Sequence, residues 1–332
     1  MLVSTNPQKV FWSGGFDSTF VVLYYLRQGM DVQPYYSNIH YNYQPAELAT
    51  QEKIRQLILN HSDIKGKLLP GVVFEPEISL EKYPQEYQDA YWHIWKEPNH
   101  YQHIRLAHYV NIHDDIENIA LGIMVGVRKW EKDHLPFLYD LWVNRGKLKI
   151  DDNGVGYYTK KDCDPITWLA FGKGIYPLVN ITRKEMYQKY LDWNCLDILK
   201  EVRFCYGGID GFLCGCCIPC QARIDDGILG FYDEDALRRV FVWRKLKAKK
   251  EKINGIPAEQ MFRNYCTSKE NLRLKGIPFA LSQLFPISIC NYFEKELKNI
   301  RIPKDVVKDR KHFLDLTKHC KYFLFIAKEV LF

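Results

Sequence analysis

The sequence contains no apolar run of the roughly 18 residues that a membrane-spanning helix needs. The nearest, Ile277 to Phe293, is interrupted by Pro278 and Pro286. The first residues show no basic segment followed by an apolar core, so no secretory signal is read there. No internal repeat and no low-complexity tract is found, which argues against a solenoid or a disordered chain. A GxxxxGK[ST] loop is also missing, and phosphoryl transfer by a Walker-type lysine is disfavoured with it. These absences point to a cytoplasmic protein without a membrane segment.

What is present fits a globular protein. A chain of 332 residues is long enough for one large domain, or a domain with an appendage. In a reducing compartment its ten cysteines read as a metal site before a disulfide framework. The net charge of +6 is uneven: the segment from Phe231 onward carries about +10, leaving the first part slightly acidic. A basic appendage suggests an anionic partner, although solvated helix faces explain most such biases.

Strand, loop and helix follow one another at the start. Val10 to Trp12 is a short apolar run, Ser13 to Thr19 a polar glycine-containing turn, and Phe20 to Arg27 a helix with Gly29 as its stop. Val32 to Ser37 reads as a second strand and Glu47 to Leu59 as an amphipathic helix. This alternation favours a parallel α/β sheet flanked by helices. Tyr83 to Val110 is rich in Tyr, Trp and His, lacks a clean period, and runs into a helix ending near Ile112. Ile119 to Val127 reads as a buried strand, with Gly126 near its end. Asn144 to Asp164 reads as a long loop or hairpin, and Thr182 to Leu191 as a helix with a Thr182/Glu185 capping box. From Asp233 through Lys252 the pattern is helical and basic, with further helices expected to the end.

The first chemical signal is Ser13-Gly14-Gly15-Phe16-Asp17-Ser18-Thr19. Backbone N–H groups of such a turn, with those opening the following helix, form a cradle for anions. Ser13, Ser18 and Thr19 add hydroxyl donors, and the glycines allow close approach. An ionised Asp17 cannot donate to phosphate, so it either holds Mg²⁺ or orders the loop. The candidate nucleotide-binding set is therefore Ser13, Gly14, Gly15, Asp17, Ser18 and Thr19, with Asp17 and Ser18 as candidate catalytic residues. A serine-rich cap after an ordinary strand is the plain alternative.

The second signal is Cys205 followed by Cys214-Gly215-Cys216-Cys217-Ile218-Pro219-Cys220. Cys205, Cys214, Cys217 and Cys220 make an all-thiolate set suited to a closed, structural Zn²⁺ site. Cys216 is left over, as a spare thiol or a support behind the ligands. The same four residues would also hold an iron–sulfur cluster.

The glycine turn resembles the SGGxDS motif of the PP-loop ATP pyrophosphatases, α/β enzymes that cleave ATP to AMP and pyrophosphate. Phe204-Cys205-Tyr206, the CGxCxxC run and Ala222-Arg223 resemble the zinc motif of the 7-cyano-7-deazaguanine synthase family. Ile175-Tyr176-Pro177-Leu178 followed by Arg183-Lys184-Glu185 is similar to the segment that precedes that motif. The resemblance covers Val10 to about Gly230. It implies residues 1–230 as a PP-loop domain with its zinc motif at 205–220, and 231–332 as a basic, mainly helical extension. Such enzymes adenylate the carboxylate of 7-carboxy-7-deazaguanine with ATP and Mg²⁺. Ammonia then gives an amide, and a second ATP gives the nitrile.

Three family patches differ here. A DYGQ-like stretch is replaced by Ile39 to Gln44, a PGRN-like stretch has only Pro98-Asn99-His100, and a YPDCR-like loop has Asp162-Cys163-Asp164. Departures of this kind resemble the paralogues found in bacterial anti-phage operons, such as type IV CBASS, where a protein amine replaces ammonia. The implied partners are then a 7-deazaguanine small molecule and a protein acceptor encoded nearby; a homodimer is left open. Nucleic acid is not favoured, although Arg238-Arg239 and Arg244 to Lys252 around Trp243 are the stretch that would grip it. Competing classes are a tRNA-thiolating PP-loop enzyme and a nucleotide-binding module without turnover. His93, His100, His103 and His108 among Trp92, Trp95, Tyr101 and Tyr109 form either a stacking wall for a heterocycle or a half-buried helix. Cys195, Cys266, Cys290 and Cys320 read as packing.

Overall fold

The computed structural model describes residues 6–37, 44–74, 80–81, 83–96, 101–113, 115–124, 147–203, 205, 213–226, 228, 231–274, 284–304 and 306. The chain forms two compact units, Met1–Arg203 and Phe204–Phe332.

The first unit is built on a seven-stranded mixed sheet. Its strands are β1 (Gln8–Phe11), β2 (Val32–Ser37), β3 (Val72–Phe74), β4 (Ile119–Ala120), β5 (Lys149–Ile150), β6 (Gly156–Tyr157) and β7 (Gly174–Tyr176). Their order is β3-β2-β1-β4-β7-β6-β5. Pairing is parallel from β3 through β7 and antiparallel from β7 through β6 to β5. Phe11, Tyr35 and Ile119 form one buried cluster with Leu106 and Val110 of a helix spanning Tyr101–Ile112. Val10, alternating with Phe11 along the strand, faces the other way.

The described helices of this unit include α1 (Phe16–Arg27), α2 (Gln44–Leu59), α3 (Gln85–Lys96), α4 (Tyr101–Ile112), α5 (Pro165–Phe171), α6 (Arg183–Asp192) and α7 (Leu196–Glu201). α1 buries Phe16, Phe20, Val21, Val22, Leu23 and Leu26, so it is covered nearly all round. Phe16 and Phe20 lie against Tyr190, and Phe20 stacks on Trp193 with centroids 5.0 Å apart. Each fully buried ring of this kind contributes roughly 1.5–3 kcal/mol. α6 opens with both halves of the Thr182/Glu185 capping box. Tyr83 to Val110, which has no clean period, is resolved into α3 and α4.

The apolar run from Ile119 is a strand only as far as Ala120. Leu121 still donates its N–H to the Ile175 carbonyl at 3.0 Å, and the chain then leaves the ladder. The reason is Gly122, which runs against the backbone of Asp17 and Ser18 instead of continuing alongside a neighbour. Val125 to Val127 lie outside the described residues. The stretch from Asn144 to Asp164 does contain a hairpin, β5 to β6, with Asp151 accepting from the N–H groups of Asn153 and Val155 at its turn.

Among its described residues the second unit carries the cysteine motif and the helices α8 (Ile218–Asp225), α9 (Glu234–Lys249), α10 (Ala258–Leu274) and α11 (Ile287–Asn299). Cys205, Cys214, Cys216, Cys217 and Cys220 share one buried core with Leu237, Val240, Phe262, Tyr265 and Phe293. The cysteine motif thus forms one core with the C-terminal helices. The basic helix expected through Lys252 stops at Lys249: Lys250 takes a left-handed φ of 52°, and β8 (Lys252–Ile253) turns back onto β9 (Ile256–Pro257). Asn254 and Gly255 make that turn with φ of 52° and 80°, and an Asn-Gly pair is the sequence signal for it. No described helix is long and apolar enough to cross a membrane.

Candidate functional site

Two sites emerge, one in each unit. In the first, β1 is flanked by β2 on one side and β4 on the other, and the chain returns to opposite sides of it. In open parallel sheets the crevice beyond the carboxyl ends of such strands is where ligands bind. Ser13 to Ser18 occupies that position and runs directly into α1.

Local geometry explains the residue types. Gly14 has a φ of 75°, and a Cβ there would stand 3.1 Å from Thr50 Cγ2. Gly15 is the N-cap of α1, and no side chain caps the helix. The opening N–H groups of a helix have no partner within it and sit at the positive end of its dipole. Three hydroxyls converge on the turn. Ser13 Oγ and Ser18 Oγ are 3.1 Å apart, Ser18 Oγ accepts from the Ser13 N–H at 3.2 Å, and Thr19 Oγ1 accepts from Trp12 Nε1 at 2.9 Å. Thr19 is fully buried and braces the strand end, while Ser13 and Ser18 are half-buried.

Asp17 faces α6. Arg183 donates to its carboxylate from Nε at 3.2 Å and from Nη2 at 3.4 Å. A forked pair of this kind, 16% and 22% exposed, fixes both side chains. Of the two roles open to Asp17, ordering the loop is the one this geometry displays.

Further groups border the loop that sequence reasoning did not single out. A Cβ on Gly122 would lie 2.8 Å from the Ser18 nitrogen, so only glycine lets the end of β4 close the floor. Gln51 of α2 donates to the Trp12 carbonyl at 2.9 Å. Tyr36 at the end of β2 donates to Glu47 at 2.7 Å. Burial pushes the Glu47 carboxyl above its usual value, against the pull of the Tyr36 hydrogen bond and the Arg203 charge. Arg203 donates its N–H to the Gly14 carbonyl at 3.0 Å. The hydroxyl of Ser37, last residue of β2, is buried with no partner among the described residues.

The second site is the cysteine group. Sγ atoms of Cys205, Cys214, Cys217 and Cys220 all lie within 4.8 Å of one another, and the four residues are 0–2% exposed. Tetrahedral Zn²⁺ with bonds of about 2.3 Å sets its sulfurs about 3.8 Å apart, and Cys205 and Cys217 stand at 3.9 Å. Cys214 N–H points at Cys205 Sγ (3.2 Å) and Cys216 N–H at Cys214 Sγ (3.4 Å), donors suited to thiolates. Among the thiols alone, hydrogen bonding within the group draws Cys214 and Cys217 below the usual value and pushes Cys205 and Cys220 above it. All four ionise together only around a cation. The donor set, its closure and its burial fit a structural metal such as zinc.

The surroundings hold this group in place. Gly215 has a φ of 72°, and a Cβ there would meet the Ala236 carbonyl at 2.7 Å. Tyr232 OH donates to the Cys220 carbonyl at 2.9 Å, and Arg239 to that of Leu213 at 2.9 Å. Cys216 is not a ligand; its thiol is directed at the Arg239 carbonyl, 3.9 Å away.

Other sequence candidates are accounted for within the fold. Asp164 caps α5, accepting from Ile166 and Thr167, while Asp162 pairs with Lys149 at 2.6 Å. His108 is 1% exposed, with its Nδ1 2.7 Å from Tyr87 OH inside an aromatic cluster. Of the basic stretch, Arg238 pairs with Glu234, Arg244 with Asp225 and Lys245 with Glu296, and Lys247 sits over Trp243. Ile39 to Tyr43, Pro98 to His100, Cys320 and the side chains of His93, Trp95, Tyr101 and His103 lie outside the described residues. Compared with protein-family models, with curated proteins and with solved structures, the chain matches none.

Proposed function

We propose that the protein is an ATP-dependent carbon–nitrogen ligase of the PP-loop type, acting on the carboxylate of a 7-deazaguanine. The observation that carries this reading is the uncapped glycine turn from Ser13 to Ser18, at the carboxyl end of the central parallel strand and opening onto the N-terminus of α1. The deazaguanine acid rests on the resemblance of the loop and the cysteine motif together to the 7-cyano-7-deazaguanine synthase family.

In this reading the backbone N–H groups around Gly14 and Gly15, with the Ser13 and Ser18 hydroxyls, hold the phosphates of ATP. The acid's carboxylate oxygen attacks the α-phosphorus, and the bond to pyrophosphate breaks. An amine then attacks the acyl carbon, forming a C–N bond as AMP departs and a proton is lost to solvent. Mg²⁺ would neutralise charge on the departing pyrophosphate. Asp17 fixes Arg183 beside the loop, where the guanidinium adds positive charge near the leaving group. The cysteine group, holding Zn²⁺, has a structural part only.

Departures at Ile39 to Gln44 and Pro98 to His100 favour a protein amine over ammonia as acceptor, in an anti-phage setting. The ion pairs of α9 count against a tRNA substrate, since that basic stretch is largely engaged within its own unit. The test is pyrophosphate release with ATP, Mg²⁺ and 7-carboxy-7-deazaguanine, then mass spectrometry after adding ammonia or the co-encoded proteins. Release followed by a mass shift on a protein supports conjugation, and release with nitrile formation supports the biosynthetic reaction. No release with this acid removes the proposed substrate.

A further inference from the structure

Adenylation requires two anions, a carboxylate and a triphosphate, to meet, and each needs a cation close to the meeting point. Arg183 is held by Asp17. Among the described residues Arg203 also meets the loop, and no motif marks it.

Its placement is fixed by the main chain. The Arg203 N–H donates to the Gly14 carbonyl at 3.0 Å, and its own carbonyl would lie 3.2 Å from a Cβ on Gly15. The residue is therefore strapped across the two glycines that shape the anion cradle. On the side of α2, Tyr36 and Glu47 form a hydrogen-bonded pair at 2.7 Å. Glu47 borders the same turn, its carbonyl 3.4 Å from where a Cβ on Gly14 would stand, and the Arg203 charge favours the ionised forms of both Glu47 and Tyr36. An arginine strapped by its main chain to the glycine that Glu47 borders has a side chain long enough to serve either that carboxylate or an oxyanion over the turn.

We propose that Arg203 is a further anion-binding residue of the glycine loop, its guanidinium closing on an oxyanion held over Gly14 and Gly15. The oxyanion is a phosphate of ATP or the carboxylate of the acid, and the chemistry of recognition is the same for both. Arg203 has this role only if the loop takes nucleotide, as proposed above.

The test uses the full chain with Arg203→Ala, Arg203→Gln, Arg203→Lys and Glu47→Gln, each checked for metal content and thermal midpoint. Because the bond to Gly14 is made by the backbone, the substitutions leave the strap in place; should the alanine variant fail to fold, the glutamine variant serves. Titration calorimetry with a non-hydrolysable ATP analogue reads the phosphate arm, and KM for the acid in pyrophosphate release reads the carboxylate arm. The expected result is a loss of about 10- to 100-fold in one arm for Ala and Gln, partial recovery with Lys, and equal or tighter binding with Glu47→Gln. A change confined to the analogue assigns the oxyanion to phosphate, and one confined to KM for the acid assigns it to the substrate carboxylate. Values within twofold of wild type in both arms overturn the role of Arg203 and leave the nucleotide site standing. A wild-type chain that binds no nucleotide overturns both.

Discussion

The glycine loop of the first unit and the cysteine group of the second are built on opposite terms. The cysteines are sealed, 0–2% exposed, in the same core as Leu237, Phe262 and Phe293. The loop is half-open: Thr19 is buried, Ser13 and Ser18 are half-exposed, and no side chain caps the helix it feeds. A closed ligand set stabilises the structure around it, whereas an open cradle keeps N–H groups and hydroxyls for a ligand. The two sites should therefore fail differently, one in folding and the other in turnover.

The largest effect expected is from Cys214→Ser. Three thiolates and a hydroxyl hold Zn²⁺ far less well than four thiolates, so bound metal should fall roughly tenfold or more. Because the group shares its core with α9 and α10, the second unit should lose several kcal/mol of stability, about 3 or more. Metal analysis with amide exchange over α9 and α10 reads this directly. Unchanged protection after chelation would show that the group holds no structural ion.

Gly122→Ala should act the other way round. Its Cβ would stand 2.8–2.9 Å from backbone atoms of Asp17 and Ser18, which no flexible side chain can relieve. The loop floor must shift, and pyrophosphate release should drop about 100-fold while stability falls by only about 1–3 kcal/mol. Gly71→Ala, where the nearest atom is Arg55 Nη2 at 4.0 Å, is the control expected to change neither. Equal activity of the two variants would show that the loop is not where the chemistry occurs.

The two sites also differed in how well the sequence announced them. Cys205, Cys214, Cys217 and Cys220 could be grouped by spacing alone, because metal ligation puts a chemical requirement on residue type. The Ser13 to Thr19 turn was legible for a similar reason: a strand, two glycines and hydroxyls before a helix is a local pattern. β2, α2 and the α6 capping box followed from periodicity and cap chemistry, which are also local. Arg203, Gly122 and Glu47 were not legible, since each reaches the loop from a different element and only the fold brings them together. The same limit truncated the strand at Ile119, where apolar composition could not reveal that Gly122 serves a close approach. The hairpin at Asn254-Gly255 is a different kind of miss, because its turn signal is in the sequence and the basic period masked it.

Within the second unit, Gly215→Ala separates metal binding from packing. The side chain would enter a position with a φ of 72° and meet the Ala236 carbonyl at 2.7 Å. All four sulfurs remain, so metal content should hold near the wild-type value while stability falls by about 1–3 kcal/mol. Thermal melts with metal analysis check both quantities. Loss of metal together with stability would mean that the knuckle backbone, and not the thiol set alone, determines occupancy.

The smallest effect concerns pH and belongs to the first unit only. His61 follows α2, with its Nε2 3.1 Å from both oxygens of Asp197 in α7, and it lies near Asp63, which pairs with Arg27. The Asp197 hydrogen bond raises the His61 pKa above its usual value, and the partner holds Asp197 below its own against the burial that opposes it. The stability His61 contributes is fully present below its unfolded value, about 6.5, and disappears as pH rises through the higher folded value. Asp197 works in the opposite direction: its contribution is present above about 3.9 and is lost as pH falls through a folded value below that. Between those limits the pair should add on the order of 1 kcal/mol, since the aspartate side chain is one-third exposed. His61→Gln should therefore flatten the loss of protection in α2 and α7 as pH rises above about 6.5, while α9 and α10 follow the same profile as wild type. A matching change in the second unit would mean that the two units do not respond to pH independently.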